Sequence, residues 1–461
     1  MDKGSREHLL YKDLINYNPN KWRINLPFVH YSLKLEDIIP ALSGGIGKIA
    51  LVAAFAVAWA RGFNIVDPSF VTENVRLELM IGGLFTILFS AVWAPHTAPP
   101  GTLAPIIPLI PIIVAAGVHP LPLSLLIGII GIIISSMRGF KKVITLNGQG
   151  TTAGIILLFG LLGTTSSLES LRSWSAGLQV PLLANLLIIS GILMYVFLNR
   201  IKAKYLMIPF SALLALILSG LFGIYPQLTT SLGVPILSPT TWWYEKWGIG
   251  FGMNINNFIK AFPFALLAVA IWPIDALAIK KIQEANYPKE ANKALFNMDD
   301  TYIIVALRNI AGALMGGGQI ASIWRSFMIP LATVKRPIVG SALVLGIIGI
   351  LFGLLGFPID IAVFPPLLWL VLIVGVYIPL LEVGLNAMKT VEISQVAITC
   401  IIIGIAINPI IGWVVGLLIE NFNMLGPKDT APRLSKQDKW FTLIIILIIT
   451  STYVYTYSIP H

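Results

Sequence analysis

The 461 residues are 56% hydrophobic and only 11% charged, and the mean hydropathy is +0.85. A water-soluble domain carries about 25% charged residues, so this composition excludes an ordinary soluble enzyme and points to a chain solvated mostly by lipid. The formal net charge of +10 does not indicate a nucleic-acid partner, because the basic residues fall between apolar runs, where membrane topology accounts for them.

The first 34 residues are polar and mixed in charge, which argues against a cleavable signal peptide. They carry Lys3, Arg6, Lys12, Lys21, Arg23 and Lys34, so the positive-inside rule predicts a cytoplasmic N-terminus. Apolar runs long enough to cross a bilayer as helix then follow at 38–60, 76–94, 98–117, 121–137, 151–165, 178–198 and 206–223. Basic clusters follow the fourth run (Arg138, Lys141, Lys142) and the sixth (Arg200, Lys202, Lys204), as cytoplasmic exits should. The stretch 224–258, with TTWWYEKW, reads as a long external loop whose tryptophans suit the membrane interface.

A second set of spans is predicted at 259–280, 299–315, 319–334, 337–356 and 361–380, again with basic even-numbered exits: Lys280, Lys281, Lys289 and Lys293, then Lys335 and Arg336. As one span, 391–421 would place Lys428, Arg433, Lys436 and Lys439 outside. Broken at Asn408-Pro409 it returns to the cytoplasm, and proline inside a helix favours such a break. A last span at 440–458 completes the count. Seven spans, seven more and one extra make an inverted repeat, because an odd number per unit reverses the second unit. Inverted repeats mark many secondary transporters, which bind substrate at the repeat interface.

Both third spans start irregularly. HTAPPGTLAPIIPLIP, from His96, is too proline-rich for a continuous helix, so the chain should stay extended until about Thr102. MGGGQIASIWRSFMIP, from Met315, reaches the same end with glycines. The two helix starts should meet in mid-membrane, each presenting free N–H groups and a partial positive charge.

At this point the chain resembles the sulfate permease (SulP) family, within the superfamily that includes uracil and xanthine permeases. The resemblance lies in RNIAGALMGGGQIASIWRSF (308–327), GTTAGI (150–155), ITCIIIGIAINPIIGWVVGLLI (398–419) and the acid Asp37 ahead of the first span, and extends over 36–421. Family members usually carry a cytoplasmic STAS domain after the last span, where this sequence has a basic linker and another apolar stretch, 422–461. The resemblance implies an all-α, polytopic fold with a core of 36–142 and 259–336 and a gate of 143–223 and 337–421, joined by the external loop 224–258 and preceded by a cytoplasmic segment, 1–35. It also implies elevator-type motion of core against gate, and dimerisation through the gate spans.

Three ionisable residues fall inside predicted spans: Lys48, Asp275 and Arg325. Each costs about 2.5–3.5 kcal/mol at a helix centre on insertion scales and should face a cavity or one another. Arg325 lies where the resemblance places an arginine beside the anion pocket; the competing reading pairs it with Asp275. Asp275 is the candidate for proton or Na⁺ coupling, or else a structural partner of Lys48 or Arg325, or an interfacial residue with Lys280 five positions on. Lys48 is expected in the pocket or as a counter-ion, with snorkelling as the alternative. Gly101, Thr102, Gln319, Ser322 and Ser326 at the two helix starts are candidate substrate contacts, against routine capping by the hydroxyls. Trp93, Trp272 and Trp324 read as packing or interface residues.

The expectation is therefore a secondary transporter of a small anion of the sulfate, bicarbonate or carboxylate class, in a bacterial or archaeal cytoplasmic membrane. It needs no cofactor beyond Na⁺ or H⁺ as coupling ion, and its partners are the substrate and lipid. The alternatives are a nucleobase or aromatic-acid symporter, against which Arg325 argues, and an anion channel. No nucleophile–base pair, metal motif or phosphate loop supports an enzyme, and the five dispersed histidines and single Cys400 suggest neither a metal site nor an intrachain disulfide.

Overall fold

The computed structural model describes residues 6–228, 232–356, 359–425 and 434–458. The helices in chain order are α1 (Arg6–Ile15), α2 (Ile38–Gly62), α3 (Phe70–Phe85, continued by a π-helical turn to Trp93), α4 (Ile110–Ala115, led by a 3-10 turn, Ala104–Leu109), α5 (Pro120–Ser136), α6 (Phe140–Asn147), α7 (Gln149–Gly177), α8 (Pro181–Arg200) and α9 (Met207–Leu221). The second set is α10 (Ile255–Asn286), α11 (Met298–Leu314), α12 (Arg325–Val334), α13 (Ile338–Leu355), α14 (Ile359–Ala362), α15 (Pro365–Leu372), α16 (Ile378–Ala387, reached through a π-helical turn), α17 (Val391–Ala406), α18 (Pro409–Asn421) and α19 (Lys436–Ser458).

This is an all-helical polytopic membrane fold, with seven spans, seven more and one extra helix. Among the described residues nine helices are long and apolar enough to cross a membrane, and α17 and α18 are shorter apolar helices. Packing reflects the repeat: α3 lies on α13 and α5 lies on α11, and exchanging the two sets of spans turns one pair into the other. α2 packs on α12 and α13, and α10 packs on α5. α7 packs on α16, α17 and α18, while α15 packs on α9.

The hairpin break falls where proline requires it. Pro409 opens α18, and the Asn408 side chain caps it by accepting the Ile410 N–H at 2.9 Å. The tail of α7 is longer than its apolar run: the polar stretch through Ser175 stays helical because Ser167, Leu171 and Ser175, spaced by four, are buried together on one face.

Two topological readings need correction. Trp242, Trp243 and Trp247, expected at the membrane interface, are buried in the protein: Trp242 and Trp247 meet Trp59, Phe63 and Phe70 edge-to-face, and Trp243 stacks on Trp247. The Trp242 and Trp247 indole N–H groups donate to the Ile236 and Gly316 carbonyls at 2.7 and 2.8 Å, satisfying the polar edge of those two rings. Arg336 is no solvated topology marker either. It is buried and donates to both oxygens of Asp37, at 3.0 and 2.9 Å, fastening the start of α2 to the α12–α13 turn.

Candidate functional site

The tenth span does not turn helical at Gln319. Residues 317–324 stay extended and α12 begins at Arg325. The third span likewise stays extended through Leu103. The two extended segments run antiparallel and bond to each other directly: Gly101 N–H donates to the Ser322 carbonyl at 2.6 Å, Leu103 N–H to Ile320 at 2.9 Å and Trp324 N–H to Pro99 at 3.1 Å. The helix starts are thus joined as a short ladder rather than separated by a cavity. Glycine is required at Gly101, where a Cβ would strike the Trp324 backbone, and at Gly316, whose φ of 90° and contact with Trp242 leave no room for a side chain.

Behind the ladder lies a buried clasp. Arg308 on α11 and Glu78 on α3, both with side chains 0% exposed, form an ion pair. Glu78 also accepts the Gln319 N–H at 2.9 Å, and Arg308 donates to the Gln319 backbone and side-chain oxygens at 3.1 and 2.8 Å. The Gln319 amide then donates to the Gly101 carbonyl at 3.1 Å and to the Thr102 hydroxyl. Gln319 is therefore consumed by scaffold contacts, and neither it nor Ser322 nor Gly101 lines the cavity described next. Of the five residues expected at the helix starts, the structure places Gln319, Ser322 and Gly101 in the ladder and clasp, and Thr102 and Ser326 at the cavity.

On the other side of the ladder is a cavity of about 490 Å³. It brings together Lys48 from α2, Thr102 from the third span, Asp275 from α10, and Arg325 and Ser326 from the first turn of α12. Trp324 forms part of the wall, and Lys48 Nζ sits 4.9 Å from its ring centroid. Lys48 is 1% exposed, and its ammonium donates to the Gly101 carbonyl at 3.2 Å. Among the described residues no carboxylate lies within ion-pair distance of it, so it is not the counter-ion of Asp275. Arg325 does meet an acid, but loosely: its Nη1 is 3.4 Å from Asp275 Oδ1, and the two side chains remain 35% and 15% exposed.

Three further residues face the cavity from α8, the turn before α9, and α16. Glu382 accepts from Lys204 Nζ at 2.6 and 2.7 Å and from the Tyr195 hydroxyl at 2.7 Å. The sequence counted Lys204 among cytoplasmic topology charges and passed over Glu382, which lies just beyond the predicted end of its span. A carboxylate at the lip of an apolar run was the one available signal. Trp272, by contrast, stacks on Tyr302 inside the protein and stays away from the cavity, whereas Trp93 is half exposed.

Comparison with known proteins adds a family and a fold. The model of a family described as "Protein of unknown function (DUF3360)" matches residues 2–457. No curated protein matches the sequence. Among solved structures, the murine Solute Carrier 26 family member A9 (Slc26a9) anion transporter in the inward-facing state superposes with a TM-score of 0.59 at 13% identity, over 86% of this chain and 69% of that one. A second SLC26A9 structure gives 0.57 at 14% identity, over 85% of this chain and 65% of that one. The transmembrane domain of a cyanobacterium bicarbonate transporter, BicA, gives 0.54 at 13% identity, over 83% and 96%. The fold expected from the SulP resemblance is the fold observed.

Proposed function

The chain belongs to the DUF3360 family, and for a member with this cavity we propose secondary transport of a small anion. The single observation that carries the reading is Lys48, a buried amine with no carboxylate in reach among the described residues, which borders a cavity also holding Arg325. An unpaired charge away from water is costly, and an anion entering the cavity supplies the missing partner. The named anion transporters that share the fold support the same reading.

The cavity holds three cations, Lys48, Lys204 and Arg325, against two carboxylates, Asp275 and Glu382, which leaves one positive charge to be balanced. Lys48 and Arg325 supply the field, and the Thr102 and Ser326 hydroxyls replace part of the anion's hydration shell. Asp275 takes the coupling role. It shares the Arg325 guanidinium with the incoming anion, so protonating it, or placing Na⁺ beside it, releases Arg325 and ties anion binding to the cation gradient.

The division of the lining into two walls supports alternating access. α2, α10 and α12 carry Lys48, Asp275 and Arg325; α8, the turn before α9, and α16 carry Tyr195, Lys204 and Glu382. We assign the first wall to a moving core and the second to a fixed gate. The lining residues Lys204, Tyr205, Ile282 and Asn386 sit near helix ends close to Lys202, Lys280, Lys281 and Lys389, the side that the positive-inside rule makes cytoplasmic. On that orientation the cavity is open inward.

The test is uptake by the purified protein in proteoliposomes, across a panel of anions, with and without Na⁺ and pH gradients. Saturable anion uptake that responds to one gradient is expected. Uptake of uncharged uracil, with no uptake of any anion, would overturn the proposal.

A further inference from the structure

The same cavity says more about its cargo than the sign of its charge. At about 490 Å³ it has room for well over ten waters at about 30 Å³ each, and falls within the range of about 300–1,000 Å³ that encloses organic ligands. An inorganic anion would occupy a small corner of it. The lining is also of the wrong kind for a hydrated ion. Beside the charged groups and hydroxyls the walls carry Leu51, Ile208, Ala278, Val376, Leu380 and Val383, which offer no hydrogen bond in exchange for lost water.

The charges are already sorted. Lys204 is matched by Glu382, and both Glu382 oxygens are engaged, one also by Tyr195. Arg325 is matched, at 3.4 Å, by Asp275. Among the described residues Lys48 alone of these cations has no carboxylate partner, so while Asp275 is ionised one negative charge completes the balance.

Resting on the anion-transport reading above, we propose that the cargo is an organic monocarboxylate with an apolar body. Its carboxylate lies between Lys48 and Arg325, and its body lies against Leu51, Ile208, Ala278 and Val376.

The experiment is calorimetric titration of the purified protein in detergent with acetate, phenylacetate, sulfate, bicarbonate and chloride, because binding, unlike uptake, is blind to acids that cross lipid in their neutral form. Phenylacetate is expected to bind more tightly than acetate by about thirtyfold, from the apolar surface of its ring, and sulfate is expected not to displace it. Ala278→Phe fills the space three residues from Asp275 on α10 and should cut the phenylacetate-to-acetate ratio at least tenfold. Val383→Phe, from the opposite wall, should act in the same direction and covers the case in which the first variant does not fold. Binding of sulfate, bicarbonate or chloride that phenylacetate cannot displace would overturn the monocarboxylate assignment while leaving anion transport standing. Binding of no anion at all would overturn both. A phenylacetate preference that survives in every folded variant would overturn the placement of the apolar body.

Discussion

Arg308 and Arg325 stand at the two ends of one short segment, and they do opposite things with the same guanidinium. Arg308 is sealed: its side chain is 0% exposed, paired with Glu78 and bonded twice more to Gln319. Arg325 is loose, 35% exposed and 3.4 Å from its acid, in the wall of a cavity. A pair sealed from solvent on both sides presents nothing to a ligand, and breaking it strands a charge. A half-satisfied pair has both spare capacity and solvent access. The contrast teaches that charge inside an apolar chain is not by itself a sign of function; what separates scaffold from site is how completely the charge is already answered.

The sharpest way to break this comparison is to disable the clasp. Arg308→Leu leaves the Glu78 carboxylate buried without a counter-charge, and the loss is expected to be about 3–5 kcal/mol, seen as a collapse of folded yield or of the thermal midpoint in detergent. Glu78→Gln combined with Arg308→Met removes both charges yet keeps an acceptor for the Gln319 N–H, so it should recover much of that loss. If Arg308→Leu melted within a degree or two of the parent protein, the clasp would not be holding the two extended segments.

Lys48 should respond with the opposite sign. Lys48→Met removes a buried ammonium that has one carbonyl and one aromatic face for company, so the thermal midpoint should stay level or rise. Anion binding should fall by about a hundredfold, in line with about 3 kcal/mol for a charge-assisted contact in a desolvated site. Stability and binding would then move apart, as they do where a site is strained for function. A Lys48→Met protein that lost stability and kept its anion affinity would make this lysine scaffold, like Arg308.

Asp275→Asn tests the looser pair from its other member. Relieved of its acid, Arg325 should hold an anion about fivefold more tightly, about 1 kcal/mol, and uptake should lose its response to the Na⁺ or pH gradient. Unchanged coupling in this variant would move the coupling role elsewhere. Arg325→Ala should weaken binding without the folding defect of Arg308→Leu, because its surroundings are already wet.

Much of the fold was legible because lipid imposes it. Apolar length set the spans, Asn408-Pro409 marked the hairpin break, and the proline and glycine runs marked where the third and tenth spans could not begin as helix. What escaped was pairing over long distances in the chain. Nothing near Glu78 announces that it meets Arg308, 230 residues away, and RLELM at 76–80 reads as an ordinary span entry. The clasp in turn explains why Gln319, plausible as a substrate contact from its place near a helix start, is spent on the scaffold. Lys204 and Glu382 escaped for another reason: each lies at the end of an apolar run, where a charge is the expected interfacial residue, and only packing α8 and α16 together turns them into one wall of a cavity.

The smallest effect is expected far from the cavity, where an ordinary ion pair gives a reference for the two arginines. Asp67, in the α2–α3 turn, accepts from Lys246 Nζ at 2.7 Å and from the Ser69 hydroxyl and N–H at 2.8 Å. The hydrogen bond from Lys246, with that from Ser69, holds its carboxyl below the usual carboxylate range against a modest opposing effect of burial. A carboxylate whose pKa is depressed by folding stabilises the folded state above its unfolded pKa of about 3.9 and loses that contribution as the pH falls through the folded value. Asp67→Asn should therefore cost no more than about 0.5 kcal/mol of stability at neutral pH for a pair this exposed, seen as a slightly lower thermal midpoint. The gap to the parent protein should close as the pH drops below about 4. A gap that persisted under acid would mean that Asp67 acts through its hydrogen-bond geometry rather than its charge. A gap as large as that of Arg308→Leu would remove burial as the property that ranks these ion pairs.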